Sequence, residues 1–333
     1  MEMSLDYWLP VFFVSVMGFA LLVYVILDGY DLGIGMLLPL ADEQQKDQMI
    51  AAIGPFWDAN ETWIVLGVGV LLIAFPKAHG IILTSLYLPV TVMLIALVLR
   101  GVAFDFRVKA NIRHKSFWNA TFFVGSITAA MAQGWMLGSY VTGLAESTVN
   151  TLFSLAIALA LPALYIMLGC GWLLIKSTGE LFEKAVGWAR VTLLPMGIGI
   201  LLISMATPLV SASIAQKWFS LPAAIGLLPI PITTLIAFTT VYWVLRRPHL
   251  LAVAEWSIFL CMIVICVMSA LGLAYSIFPD IIINRLDIWE TAASTRYLSF
   301  VSVGVAITVP MILIYTIFVY RIFSGKATDL SYE

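Results

Sequence analysis

The stretch that decides the fold runs Trp8-Leu9-Pro10-Val11-Phe12-Phe13-Val14-Ser15-Val16-Met17-Gly18-Phe19-Ala20-Leu21-Leu22-Val23-Tyr24-Val25-Ile26-Leu27 and passes directly into Asp28-Gly29-Tyr30-Asp31. Before Asp28 it holds no charge, and at a rise of about 1.5 Å per residue it is long enough to cross the roughly 30 Å of a bilayer's hydrocarbon core. Runs of the same kind recur along the chain. We place spans near residues 8–27, 57–75, 80–99, 118–139, 152–175, 191–211, 222–245, 255–278 and 298–320. The second reaches spanning length only if the polar turn holding Asp58 and Glu61 enters the membrane.

Composition agrees. The 333 residues are 62% hydrophobic and 11% charged, against about 45–50% and 25% in soluble globular domains. That much apolar surface excludes a soluble fold and leaves no room for a separate soluble domain, so residues 1–333 read as a single polytopic membrane domain. The start Met1-Glu2-Met3-Ser4-Leu5-Asp6 is acidic, with no basic n-region or small-residue cleavage site, and is not expected to be a cleaved signal peptide.

Orientation follows from the basic residues. Of the 17 Lys and Arg, all but Lys77, Lys217, Arg285 and Arg296 fall in the loops after spans one, three, five and seven or in the C-terminal segment. The N-terminus is therefore expected outside and the C-terminus in the cytoplasm. The net charge of −2 says nothing about partners. Cys170, Cys261 and Cys266 lie in apolar spans and read as structural thiols.

A bundle that only had to sit in lipid would avoid carboxylates near its spans, since each costs about 2.5–3.5 kcal/mol at a helix centre on insertion scales. Here they concentrate between residues 28 and 107. Asp28 and Asp31, in Leu27-Asp28-Gly29-Tyr30-Asp31-Leu32-Gly33-Ile34-Gly35, share a face if the helix continues, while Gly29 and Gly33 admit a close neighbour. A solvated helix end with glycine packing is the competing reading. In Gly54-Pro55-Phe56-Trp57-Asp58-Ala59-Asn60-Glu61-Thr62-Trp63, Gly-Pro opens a helix whose first turn would hold Asp58 and Glu61. Capping explains one acid, but not two acids, an Asn and two tryptophans together. Trp57 and Trp63 could equally be interface-belt aromatics.

The third cluster is Arg100-Gly101-Val102-Ala103-Phe104-Asp105-Phe106-Arg107-Val108-Lys109. Asp105 and Lys109 have the spacing of a helical ion pair. Arg100 could snorkel to the headgroups, and Arg107, Lys109 and Arg113 could be positive-inside anchors, which gain nothing from Asp105. All three clusters lie on the expected cytoplasmic side, where inward-facing carboxylates could relay protons.

The rest is informative by what it omits. Membrane haem needs axial His or Met, but His79, His114 and His249 lie at loop or span ends on differing sides. No nucleotide loop, zinc spacing, nucleophile elbow or nucleic-acid patch is present, so the chain is expected to bind no metal and no nucleic acid.

The same three clusters resemble the motifs of subunit II of the cytochrome bd quinol oxidases. Asp28 to Leu37 is similar to the family's D-G-F-D-x-G-x-G-M-L, Met49 to Trp63 to M-I-N-S-I-x-P-x-W-D-G-N-x-x-W, and Arg100 to Arg107 to R-x-x-x-F-[DE]-[FY]-R. The likeness is close over about the first 115 residues and looser beyond. Ala59 replaces the usual Gly, and Phe278-Pro279-Asp280-Ile281-Ile282-Ile283-Asn284-Arg285 replaces a proline-rich outer loop.

The resemblance implies an all-α integral membrane protein of about nine helices, as two four-helix bundles plus one peripheral helix. It also implies a complex that oxidises quinol and reduces dioxygen to water, with haems b and d in subunit I and this chain haem-free. A heterodimer with subunit I in the prokaryotic inner membrane, a small accessory subunit and a structural quinone are further implications. Carried over by position, Asp58, Asp105, Lys109 and Asp31 mark a cytoplasmic proton path, with Asp28 and Glu61 as further members. Trp57 and Trp63 mark an oxygen route or quinone contact, and Arg100, Arg107 and Asn60 structural anchoring. A secondary transporter and a purely structural subunit are the alternatives.

Overall fold

The computed structural model describes residues 5–327; Met1–Ser4, on which part of the signal-peptide reading rests, lie outside the described residues. Nine helices among the described residues are long and apolar enough to cross a membrane. We label them α1 (Leu5–Leu37), α2 (Trp57–Ala74), α3 (Tyr87–Lys109), α4 (Ile112–Val141), α5 (Thr148–Lys176), α6 (Gly179–Val210), α7 (Pro229–Arg246), α8 (Trp256–Ile277) and α9 (Thr295–Ile322). In α1–α4, α1 packs on α2 and α4, and α3 on α4. In α5–α8, α5 packs on α6 and α8, and α7 on α6 and α8. The two groups meet where α5 contacts α1 and α4, and α9 lies outside them against α1.

That meeting is set by glycine. A Cβ on Gly33 would stand 1.9 Å from the Tyr165 carbonyl oxygen, and one on Gly169 would stand 2.8 Å from the Gly33 backbone. The α1 and α5 backbones therefore touch, as small-residue interfaces in membranes allow.

Several boundaries differ from those expected. α1 does not stop at Leu27 but runs to Leu37, so Asp28 and Asp31 lie within a helix and not at a solvated end. The third span begins at Tyr87 rather than residue 80, because Pro76–Ser85 forms a helix of its own. Pro89 has no N–H to return to the Ser85 carbonyl, so the helix breaks at Leu86 and restarts with Pro89 in its first turn, where proline is tolerated. The seventh span is likewise interrupted, between Ala223–Leu227 and Pro229–Arg246, where Pro229 and Pro231 lack donors. Gly54-Pro55 does precede a helix, but that helix opens at Trp57, with Asp58 in its first turn and Glu61 one turn later.

Between α1 and α2 the short helix Glu43–Ile53 starts with a reciprocal cap. The Gln45 backbone N–H donates to Asp42 Oδ1 (2.9 Å), and the Asp42 N–H donates to Gln45 Oε1 (3.3 Å). The loop after α8 holds a small antiparallel pair, Asp280–Ile282 with Leu286–Asp287, in the register Asp280 to Asp287 and Ile282 to Leu286. Asn284 takes the turn with φ 58° and donates its N–H to Asp280 Oδ2 (2.9 Å). Trp289 then stacks on Tyr7 at 5.1 Å and fixes the loop to the first turn of α1.

Candidate functional site: a buried charge cluster in the first bundle

The site is built by three helices that bury polar side chains at helical spacing. On α3 the buried residues Arg100, Ala103, Phe104 and Arg107 recur at i, i+3, i+4 and i+7. On α1, Asp28 and Asp31 share the face toward the bundle, and both are fully buried. On α2, Asn60 and Trp63 are fully buried.

Arg100 is the centre. Its Nη1 lies 2.6 Å from Asp28 Oδ1, and its Nη2 pairs with Glu61 Oε1. The Arg100 side chain is 1% exposed and that of Glu61 26%, so the pair reaches from the protein interior to its half-open flank. Arg100 thus does not snorkel to headgroups. Two carboxylates offset the cost of burying it, and removing one member of such a group typically costs about 3–5 kcal/mol because a charge is left uncompensated. Asp28 Oδ2, Asp31 Oδ1 and Arg100 Nε are buried and make no hydrogen bond among the described residues.

Asp31 is held through Asn60. The Asn60 amide donates to Asp31 Oδ2 (2.8 Å) and to the Tyr30 hydroxyl (2.9 Å), with a longer contact to the Leu27 carbonyl oxygen (3.3 Å). On the other side of Asp28 stands Tyr24. Its hydroxyl accepts from Gln133 Nε2 (2.8 Å), while Gln133 Oε1 accepts from the Tyr165 hydroxyl (2.6 Å). The polar groups therefore continue from Asp28 toward α4 and α5.

The sequence-predicted residues divide. Asp28, Asp31, Asn60, Glu61 and Arg100 come together. Asp58, Asp105 and Lys109 do not: all three are exposed. Asp105 and Lys109 form no ion pair with each other among the described residues; Arg100 and Arg107 occupy the inward face of α3 and leave both of them exposed. Arg107 is not a headgroup anchor. It is buried, with Nη1 2.8 Å from Asp47 Oδ1 and Nε donating to Asn119 Oδ1 at 2.5 Å, and it ties α3 to the Glu43–Ile53 helix and α4.

Trp63 is not an interface aromatic either: it is fully buried, edge-on to Phe19 at 5.9 Å. Trp57 is half-buried against Phe104 at 5.1 Å. The sequence reading missed Tyr24, Gln133, Tyr165 and Tyr320. Gln133 carried a signal, a lone amide between the apolar stretches Ala129-Ala130-Met131-Ala132 and Gly134-Trp135-Met136-Leu137. Tyr24 and Tyr320 carried none, since a tyrosine near a span end is ordinary, whereas Tyr165 lies in the middle of the fifth span.

Nine apolar helices among the described residues, three of which bury an ionisable cluster, define a multi-pass membrane protein. Residues 9–323 match the family described as cytochrome bd terminal oxidase subunit II, and the chain belongs to that family. It is similar to cytochrome bd ubiquinol oxidase subunit 2 of Bacillus subtilis, 34% identical over 142 residues, covering 42% of this chain and 40% of that one. It is also similar to cytochrome bd-I ubiquinol oxidase subunit 2 of Escherichia coli K12, 27% identical over 195 residues, covering 53% of this chain and 51% of that one. The chain thus spans about half the length, or less, of the curated relatives it matches. The fold is shared with a chain in the structure of bd oxidase from Geobacillus thermodenitrificans, with TM-score 0.76 and 16% identity over 95% of this chain and 98% of that one.

Proposed function

We propose that this chain is the haem-free subunit II of a cytochrome bd-type terminal quinol oxidase, a complex that oxidises membrane quinol and reduces dioxygen to water. It forms one polytopic unit over residues 1–333, pairs with a haem-bearing subunit I, and lies in the prokaryotic cytoplasmic membrane with its N-terminus outside and its C-terminus inside. Haems b and d belong to subunit I in this reading. His79, His114 and His249 stand on three separate helices, Pro76–Ser85, α4 and Pro248–Val253, and His114 and His249 are exposed. They do not fit a shared iron, so no redox step is routed through this chain. A structural quinone and a small accessory subunit are further partners the family suggests.

The chain's own part is proton delivery, and the Asp28–Arg100–Glu61 cluster carries the reading. Asp58, exposed in the first turn of α2, takes up protons from the cytoplasmic side. Glu61, three residues on along the same helix, receives them at the half-buried flank. Arg100 holds Glu61 and Asp28 on one guanidinium, and Asp31 follows one turn along α1. Asp105 and Lys109, on the outward face of α3, extend the route toward subunit I. Trp57 and Trp63 are the weaker proposal, as lining of an oxygen route or a quinone contact.

Solubilisation of the tagged chain in mild detergent tests the assignment. Co-purification of a polypeptide with visible haem absorption, together with quinol-driven oxygen uptake, is expected. A colourless, self-sufficient species that moves solute would instead make it a transporter.

A further inference from the structure

α9 lies at the periphery, and Phe300, Val303, Ile307, Met311, Ile314 and Phe318 all face outward. Its inner end is different. Lys176 Nζ donates to the Phe323 carbonyl and, at 2.9 Å, to the Gly325 carbonyl, while standing 5.2 Å from the ring centres of both Phe56 and Trp172. Lys326 pairs with Glu255 at 2.6 Å. Pinned in this way, the last turn of α9 packs Tyr320 against Phe56, with ring centres 4.5 Å apart, and points its hydroxyl into the buried cluster.

There it closes a ring. Asn60 Nδ2 donates to the Tyr30 hydroxyl (2.9 Å), the Tyr30 and Tyr320 hydroxyls are 2.5 Å apart, and the Tyr320 hydroxyl donates to Asn60 Oδ1 (3.0 Å). With Tyr30 donating to Tyr320, every group in the ring gives one hydrogen and accepts one. The second amide hydrogen of Asn60 then points at Asp31 Oδ2, 2.8 Å away. An amide turned by half a rotation keeps its shape but exchanges donor for acceptor. Turned so, Asn60 would set its oxygen against the carboxylate, with no hydrogen to offer. The ring itself can run in either sense, so Asp31 Oδ2 and the Leu27 carbonyl oxygen set the orientation, and the two tyrosine hydroxyls hold the amide in place against them.

We infer that Tyr320 is a positioning residue: delivered by the peripheral helix, it acts through Tyr30 and Asn60 to fix the hydrogen bond that Asp31 receives. The inference deepens the proton-path reading, which gives Asp31 its task, but the hydrogen bond itself can be tested separately.

Infrared difference spectra of the intact complex labelled with carbon-13 aspartate provide that test. The Asp31 carboxyl band is identified by its loss in Asp31→Asn or, should that variant fail to assemble, in Asp31→Glu. Tyr320→Phe is expected to shift this band, Tyr30→Phe to shift it in the same sense, and Tyr320→Phe to add no shift in an Asn60→Leu background, since residues acting as one unit are not additive. A band unmoved by either tyrosine change, or equal shifts with and without Asn60, overturns the inference. Oxygen uptake separates the two claims: a shifted band with normal turnover keeps Tyr320 as a positioning residue and removes Asp31 from the proton route.

Discussion

Arg100 and Asp105 lie five positions apart on one helix, yet their environments are opposite, and substitutions should show it. Arg100→Met removes the only cation contacting Asp28 among the described residues and should cost about 3–5 kcal/mol, because a carboxylate is left buried and unpaired. Asp28→Asn should be milder, since Arg100 keeps Glu61. Asp105→Asn, on an exposed side chain, should change stability by less than about 0.5 kcal/mol. Thermal unfolding of the detergent-solubilised protein ranks the three, and an Arg100→Met variant as stable as Asp105→Asn would remove the cluster from the fold's supports. At this scale the sequence was half legible. The motif spacing brought out Asp28, Asp31, Asn60, Glu61 and Arg100 because charged and amide groups are rare in spans. It grouped Asp105 with them because linear proximity does not reveal which face of a helix looks inward.

At the scale of elements, contact between α1 and α5 rests on Gly33 and Gly169. Gly33→Ala would force a methyl to 1.9 Å from the Tyr165 carbonyl oxygen, and overpacking of this kind costs about 1–3 kcal/mol or more. Gly69→Ala, with nothing within 4 Å, is the matched control and should be neutral or slightly stabilising through helix propensity. Equal melting temperatures for the two variants would contradict the close approach. The short helix Glu43–Ile53 makes a pH prediction.

The Gln45 backbone N–H, and secondarily Lys184, hold the exposed Asp42 carboxyl below its usual range. Its cap is therefore fully present above about pH 4 and is lost as pH falls through the lowered value. Hydrogen-exchange protection in this helix, taken relative to the intrinsic rate at each pH, should fall on acidification below about pH 4, and Asp42→Asn should blunt the dependence, because Asn caps as well as Asp. Exchange that ignores both changes would show that the cap contributes nothing. The span count was legible from apolar length alone. The break at Leu86 and the run of α1 to Leu37 were not, because hydropathy marks where lipid begins and not where a helix stops.

For the whole molecule, the distribution of Lys and Arg predicts that a reporter fused after Glu333 is active only in the cytoplasm and one near Ala145 only outside. Two reporters on the same side would refute the nine-span topology. The chain expressed alone should show no haem absorption, and a haem lost on changing His79 or His249 would overturn the assignment of both haems to subunit I. α9 exceeds what the sequence offered. It reads as one more apolar span, and only its inner turn, anchored by Lys176, connects the periphery to Asn60.

The central claim is that Asp58 and Asp105 carry protons rather than support the fold. An amide neither gains nor loses a proton near neutral pH. Quinol-driven oxygen consumption by the fully assembled complex carrying Asp58→Asn or Asp105→Asn is therefore the most direct measurement. The account predicts an unchanged haem spectrum with turnover lowered at least about tenfold, below the roughly 10²–10⁴-fold that a positioned acid–base group contributes to a chemical step, and a smaller loss for Asp58→Glu. Normal turnover in both Asn variants, in fully assembled enzyme, would contradict it.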